Sequence, residues 1–203
     1  MKIYSAVSGP LKVNTYFIVN EQTKEAFVID AGANYHLVEE AQKKFNIKVV
    51  AVLLTHAHFD HSRCCLKLQE MGIKIYLSKL DTPKLYDGGH LGGKNFPEFT
   101  PDYTFIDNEV ISICGINVKV LITPGHTDGS ACFIIENNIF SGDTLLFESV
   151  GRTDMLGGNP QAIESSIFRL YNLIGDYNVY SGHGQPTTLS HERVNNPFFR
   201  QVW

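Results

Sequence analysis

The stretch "LLTHAHFDHSRCC", residues 53–65, sets His56, His58, Asp60 and His61 directly behind an aliphatic run at residues 49–54. An isolated histidine usually belongs to an ordinary surface turn; here four potential metal ligands fall within positions 56–61, where a buried strand ends. An extended H-x-H aims both imidazoles to one side, because side chains alternate along a strand with period two. The turn that follows brings Asp60 and His61 towards a neighbouring point. Nitrogen and carboxylate donors together suit zinc or iron, whereas magnesium and calcium take oxygen.

Six residues cannot close two metal sites, so further donors are expected where other strands end. Three turns offer them: His126 in "ITPGHTDGS", Asp143 in "FSGDTLL" and His183 in "YSGHGQP". In each, Gly or Pro permits a tight turn at the donor.

The hydrophobic pattern places these turns on a β-rich chain. Ile3, Ser5 and Val7, then Val13, Tyr16 and Ile18, read as a hairpin around "SGP", with a third strand at "EAFVIDAG". Asn34 is the expected N-cap of a helix whose Leu37, Val38, Ala41 and Phe45 share a face. "KVVAVLLT" is a buried strand, and Ser62 is expected to cap a helix through Met71, with Gly72 as its stop. "KIYLS" is another strand, and residues 82–103, rich in Gly and Pro, read as a long irregular loop. "EVISIC" and "INVKVLIT" form a hairpin; "ACFIIENNIFSGD" forms a second, turning on Asn137 and Asn138. Asn159-Pro160 opens a helix with Ile163, Ile167, Leu170 and Ile174 on one face, and "YNVYSGHG" supplies a last strand and turn. Two groups of strands, each followed by helices, point to helices packed outside a β sandwich.

Composition removes several function classes. The chain has 203 residues, 43% hydrophobic and 19% charged, the balance of a globular protein, and one domain over 1–203 is expected. A formal charge of −4 without a basic run argues against nucleic acid as a partner. The longest apolar run, "VVAVLL", is far short of a membrane span, and "MKIYSAVSGP" lacks the apolar region of an export signal. A cytoplasmic protein with free thiols is therefore expected, since Cys64, Cys65, Cys114 and Cys132 lack zinc-type spacing. Cys64 and Cys65 open the helix after the histidine cluster, where a helix N-terminus can lower a thiol pKa. The plainer reading makes them small buried hydrophobes.

From "THAHFDH" to "SGHG" the sequence resembles the metallo-β-lactamase superfamily. The resemblance implies an α+β fold, the four-layer αβ/βα sandwich, with the site where loops converge at one edge. Carried over residue by residue, it puts His56, His58 and His126 on a first metal and Asp60, His61 and His183 on a second. Asp143 bridges both, and Asp60 and Asp143 are the catalytic carboxylates. Two divalent ions are implied, zinc first, with iron or a mixed iron–zinc pair as alternatives.

Within the superfamily "GDTLLFESVGRTDMLGG" and "TTLSHERVNNPFFR" are most similar to small glyoxalase II-like hydrolases. The implied partner is a small-molecule thioester such as S-lactoylglutathione, attacked by a metal-bridging hydroxide. The Asp of "GDTL" sets the chain apart from true β-lactamases, and H-x-H-x-D-H differs from the H-x-E-x-D-H of the flavo-diiron branch. Two departures from the pattern are "SRCC" after the motif and the lack of the C-terminal helical domain of full-length glyoxalase II. A persulfide dioxygenase with one iron on His56, His126 and Asp143 is the rival reading, although "SGHGQP" looks more like the hydrolases. Arg152 in "VGRTD" suits a substrate carboxylate, or else pairs with Asp154. Asp30 either bonds a ligand histidine or is a simple turn residue. His36, His90 and His191 fit no ligand pattern.

Overall fold

Period-two burial decides how the strands stack. In the computed structural model, which describes residues 1–86 and 96–200, β1 (Lys2–Ser8), β2 (Val13–Val19) and β3 (Glu25–Ile29) pair antiparallel. Then β4 (Lys48–Leu53), β5 (Lys74–Ser78) and β6 (Tyr103–Phe105) add in parallel, in the order β1-β2-β3-β4-β5-β6. The second sheet contains β7 (Val110–Ile113), β8 (Ile116–Ile122), β9 (Ala131–Ile135), β10 (Asn138–Gly142), β13 (Asn178–Ser181) and β14 (Thr187–Thr188). Its order is β14-β13-β10-β9-β8-β7, with β10 and β13 parallel. A short ribbon, β11 (Leu145–Leu146) with β12 (Ser149–Val150), stands apart.

Strand β2 is buried throughout because both its faces are covered. Tyr16 and Ile18 enter the core between the sheets with Phe27, Leu53, Val120 and Phe133. Phe17 and Val19 point the other way, into a core shared with Val38 and Ala41 of α1 (His36–Phe45) and Leu68 of α3 (Cys65–Glu70). The second sheet repeats the arrangement. Val120 faces inward, while Leu121 meets Ile163, Ile167 and Leu170 of α4 (Pro160–Tyr171) and Leu189 of α5 (Leu189–Asn195). The result is helix, sheet, sheet, helix: the expected αβ/βα sandwich.

Several local expectations are corrected. The helix after the histidine cluster is broken into α2 (Phe59–Ser62) and α3. Ser62 does not cap it; its hydroxyl donates back to the Ala57 and His58 carbonyls at 3.1 and 2.9 Å. Tyr35, not Asn34, precedes α1, and the Asn34 side chain accepts from the His36 amide instead. In the second hairpin Ile135 pairs with Asn138, so the turn is Glu136-Asn137, and Glu136 takes a φ of 53°. Asn138 is strand, buried, and its amide donates to the Ile135 carbonyl. Helix α4 stops at Tyr171, which leaves Ile174 95% exposed rather than on the core face. The loop expected over 82–103 opens with a 3-10 turn at Thr82–Leu85 and closes on β6; His90 lies outside the described residues. No described helix is long and apolar enough to cross a membrane.

Candidate metal centre

All seven expected donors meet at one edge of the sandwich. His56 and His58 follow β4 and His61 lies in α2, so one turn of chain delivers three imidazoles. His126 comes from the loop after β8, Asp143 from the end of β10, and His183 from the loop after β13. Donor atoms of His56, His58 and His126 lie within 4.8 Å of one another, and so do those of Asp60, His61 and His183. A third group, His56, His61 and Asp143, links the two.

Two of the glycines in these turns are required by close approach. A Cβ on Gly182 would stand 2.2 Å from Asp143 Oδ1 and 2.8 Å from His61 Cε1. Gly142, at φ 51°, would press on Thr55 Oγ1 at 2.4 Å.

The donors fit a metal better than they fit one another. Buried Nε2 atoms of His56 and His126, with Oδ1 of Asp143, make no hydrogen bond, a costly state for a site designed without an ion. A tetrahedral ion with bonds of about 2.1 Å holds its donors roughly 3.4 Å apart. His61 Nε2 and His183 Nε2 are 3.3 Å apart, and His183 Nε2 is 3.4 Å from Asp60 Oδ2. Asp143 Oδ2 lies 3.5 Å from both His126 Nε2 and His183 Nε2, and its Oδ1 is 3.7 Å from His61 Nε2.

Charge is polarised across the cluster. Burial, together with the neighbouring imidazoles, drives His56 well below the usual histidine range. Burial opposes charge on His61 too, but Asp30, Asp143 and Asp60 outweigh it and raise its pKa to about 10. Burial disfavours the Asp60 carboxylate, yet His183 and His61 hold its pKa at about 2. His56 is thus held neutral, while the second donor group gathers the carboxylates around His61.

Supporting contacts orient the imidazoles. Asp30 resolves in favour of the ligand-orienting role: its Oδ2 lies 2.9 Å from His61 Nδ1 and accepts from the Thr55 hydroxyl, while Oδ1 accepts from the Thr55 amide. A ring nitrogen fixed this way leaves the other for metal. The carbonyl of Leu11 faces His183 Nδ1 at 3.0 Å, and that of Arg152 faces His126 Nδ1 at 2.8 Å. Asn14 and Tyr16 donate to the Ser181 carbonyl and hold the His183 turn. The sequence reading missed these carbonyls, because any residue carries one. It also missed Asp81, a lone aspartate after β5, which accepts from Ala57 and Gly129 amides and the Thr127 hydroxyl.

The cluster opens into a cleft of about 590 Å³ walled by Leu11, Phe59, Leu146 and Met155. Arg152 lies at its rim, with Nε and Nη2 both 2.7 Å from the Asp154 carboxylate. The thiols take the plainer reading. Burial pushes the Cys64 thiol up to about 12 and holds the Cys65 thiol well above the usual cysteine range, so neither is a nucleophile at neutral pH. His36 and His191 pair with Glu39 and Glu148 away from the cluster.

Comparison with known proteins agrees with this geometry. The chain is 31% identical over 191 residues to hydroxyacylglutathione hydrolase GloC of Haemophilus influenzae, covering 89% of this chain and 90% of that protein. Its fold superposes on the BLEG-1 B3 metallo-β-lactamase with a TM-score of 0.88 and 31% identity, over 98% of this chain and 99% of that one. TTHA1623, solved in a di-iron-bound form, gives 0.85 and 32% over 96% and 99%. The family model for the metallo-beta-lactamase superfamily matches residues 8–183, a span that includes all seven clustered donors. This chain is a member of the metallo-β-lactamase superfamily, with His and Asp groups able to hold metal ions.

Proposed function

We propose that residues 1–203 act as one catalytic domain, a dinuclear metal-dependent hydrolase of small-molecule thioesters such as S-lactoylglutathione. The observation that carries this reading is the complete second donor group, Asp60, His61 and His183, beside the three-histidine group, with Asp143 reaching towards both. The relationship to a protein named hydroxyacylglutathione hydrolase supports the substrate class. Imidazole and carboxylate donors suit zinc, and the di-iron form of TTHA1623 makes iron the alternative.

Bound divalent ions would supply an electrophile for a carbonyl oxygen and would lower the pKa of water to about 7. The rest of the chemistry belongs to the chain. Asp60 and Asp143 would offset the charge of the ions, and Asp30 holds His61 in one orientation. Leu11, Phe59, Leu146 and Met155 wall the cleft and would exclude water from one side of a bound thioester. A thiolate leaves readily, so no dedicated proton donor is required, and the residues of the cleft have mainly to position the ester.

Metal analysis of the purified chain, followed by assays with lactoylglutathione, glutathione persulfide and a chromogenic β-lactam, tests the reading. Two ions per chain and thioester turnover are expected. One iron, with oxygen uptake on the persulfide, would assign the protein to the dioxygenases instead; β-lactam turnover alone would make it a lactamase. Asp143→Asn should lower metal content and thioester turnover together, because the amide is neutral and a poorer bridging ligand.

A further inference from the structure

Asp81 is fully buried and sits outside the donor cluster, yet it joins the two loops that deliver the three-histidine group. Its Oδ2 accepts from the Ala57 amide at 2.9 Å, and Ala57 stands between His56 and His58. The same oxygen accepts from the Thr127 hydroxyl at 2.8 Å, and Thr127 follows His126. Oδ1 accepts from the Gly129 amide at 2.8 Å. Each of the first two contacts is one residue from a donor, on segments about 70 positions apart in the chain.

The surroundings are built around this carboxylate. A Cβ on Gly129 would come within 2.7 Å of Asp81 Oδ1, so only glycine allows the approach. Lys84 Nζ lies 3.3 Å from Asp81 Oδ1 and 3.0 Å from Asp128 Oδ2, which balances the buried charge. Asp30 has a different reach: it faces His61 directly and accepts from the Thr55 amide and hydroxyl, the hydroxyl lying 3.0 Å from His56 Nδ1, so it ties the His56 segment to His61 rather than to the His126 loop.

We propose that Asp81 is the positioning residue of the three-histidine half of the centre, setting the distance between the His56–His58 segment and His126 and so the metal affinity of that half alone. The inference rests on the metal-centre reading above. Its physical basis is the acceptor count. A carboxylate accepts on both oxygens, whereas an asparagine has one acceptor and would aim an N–H at one of three donors that already fill the site. One loop must then move away from the other. Supporting contacts of this kind typically change metal affinity by about 10- to 100-fold.

Cobalt titration of the metal-free full chain, followed by its visible absorption bands, tests this. His58→Ala and His183→Ala assign each band to one half. Asp81→Asn should weaken, by about tenfold or more, the band lost in His58→Ala and leave the band lost in His183→Ala unchanged. Thr127→Val is close in shape and removes one of the three hydrogen bonds to Asp81, together with the Thr127–Ser130 hydroxyl contact; it should weaken the same band several-fold, and it carries the test if Asp81→Asn does not fold. Equal weakening of both bands, or no weakening of either, overturns the role of Asp81 while leaving the metal centre standing. A wild-type chain that takes up no cobalt overturns the metal-centre reading, and the role of Asp81 with it.

Discussion

At Gly182 a single hydrogen atom separates a working geometry from a blocked one. The backbone of the His183 turn passes so near Asp143 and His61 that a methyl group would sit 2.2 Å from Asp143 Oδ1. Neither neighbour can yield without moving a donor, since His61 is clamped by Asp30 at 2.9 Å. Gly182→Ala should therefore reduce divalent-metal uptake by about tenfold or more, read by competition with a chromophoric chelator. Uptake equal to wild type would mean that the turn relaxes outward and that the donors are not held as the close approach implies.

Elements matter through what they tie down. Helix α4 starts with Asn159, whose side chain accepts from the Ala162 amide at 3.0 Å, and its Ser166 hydroxyl donates to the Pro124 carbonyl at 2.7 Å. The Asn159 amide donates to Gly125, directly before His126. The helix thus covers the second sheet and anchors the loop carrying one donor. Ile167, 1% exposed and packed among Leu121, Ile139 and Val179, should cost about 2–5 kcal/mol on truncation to Ala. Asn159→Ala should cost about 1 kcal/mol, the usual loss for an N-cap. Urea unfolding measures both, and the larger loss at Ile167 is the expected order; the reverse would place the strength of this helix in its cap rather than its buried face.

For the whole molecule, the donor cluster sets how stability depends on pH when metal is stripped away. His61 has its pKa raised to about 10, so its contribution is fully present below its unfolded value of 6.5 and is lost as pH rises through about 10. His183 is shifted in the same direction. His56 is lowered, so the unfolded chain takes up a proton that the folded chain refuses, and stability falls as pH drops below 6.5. Asp60, held at about 2, contributes above its unfolded 3.8 and loses this as pH falls through about 2. Thermal melts of the chelated protein should peak near pH 6.5 and decline on both sides. Metal competes with the proton on His61, so the loaded protein should not show the alkaline decline. A chelated protein whose melting temperature rose steadily from pH 7 to 10 would contradict the charged state of His61.

The sequence by itself determined the donors and the layers, because both are written in local spacing. H-x-H on a strand end, Asp60 and His61 one turn later, and glycine-flanked donors at three other strand ends are short-range patterns. Period-two alternation in residues 116–122 marks the two faces of β8 without reference to any partner. Only the tertiary structure decided which residues hold those donors in place. Asp81 in "KLDTP" is indistinguishable from a turn aspartate until Ala57 and Gly129 arrive beside it from 24 and 48 positions away. Asp30 balanced two readings until His61 closed on it, and the Arg152 carbonyl that faces His126 belongs to a backbone common to every residue. The break between α2 and α3 is of the same kind, with the Cys64 amide donating to the Gly32 carbonyl on a distant loop. Periodicity tells a side chain which face it lies on, but burial and long-range hydrogen bonds choose what it meets there.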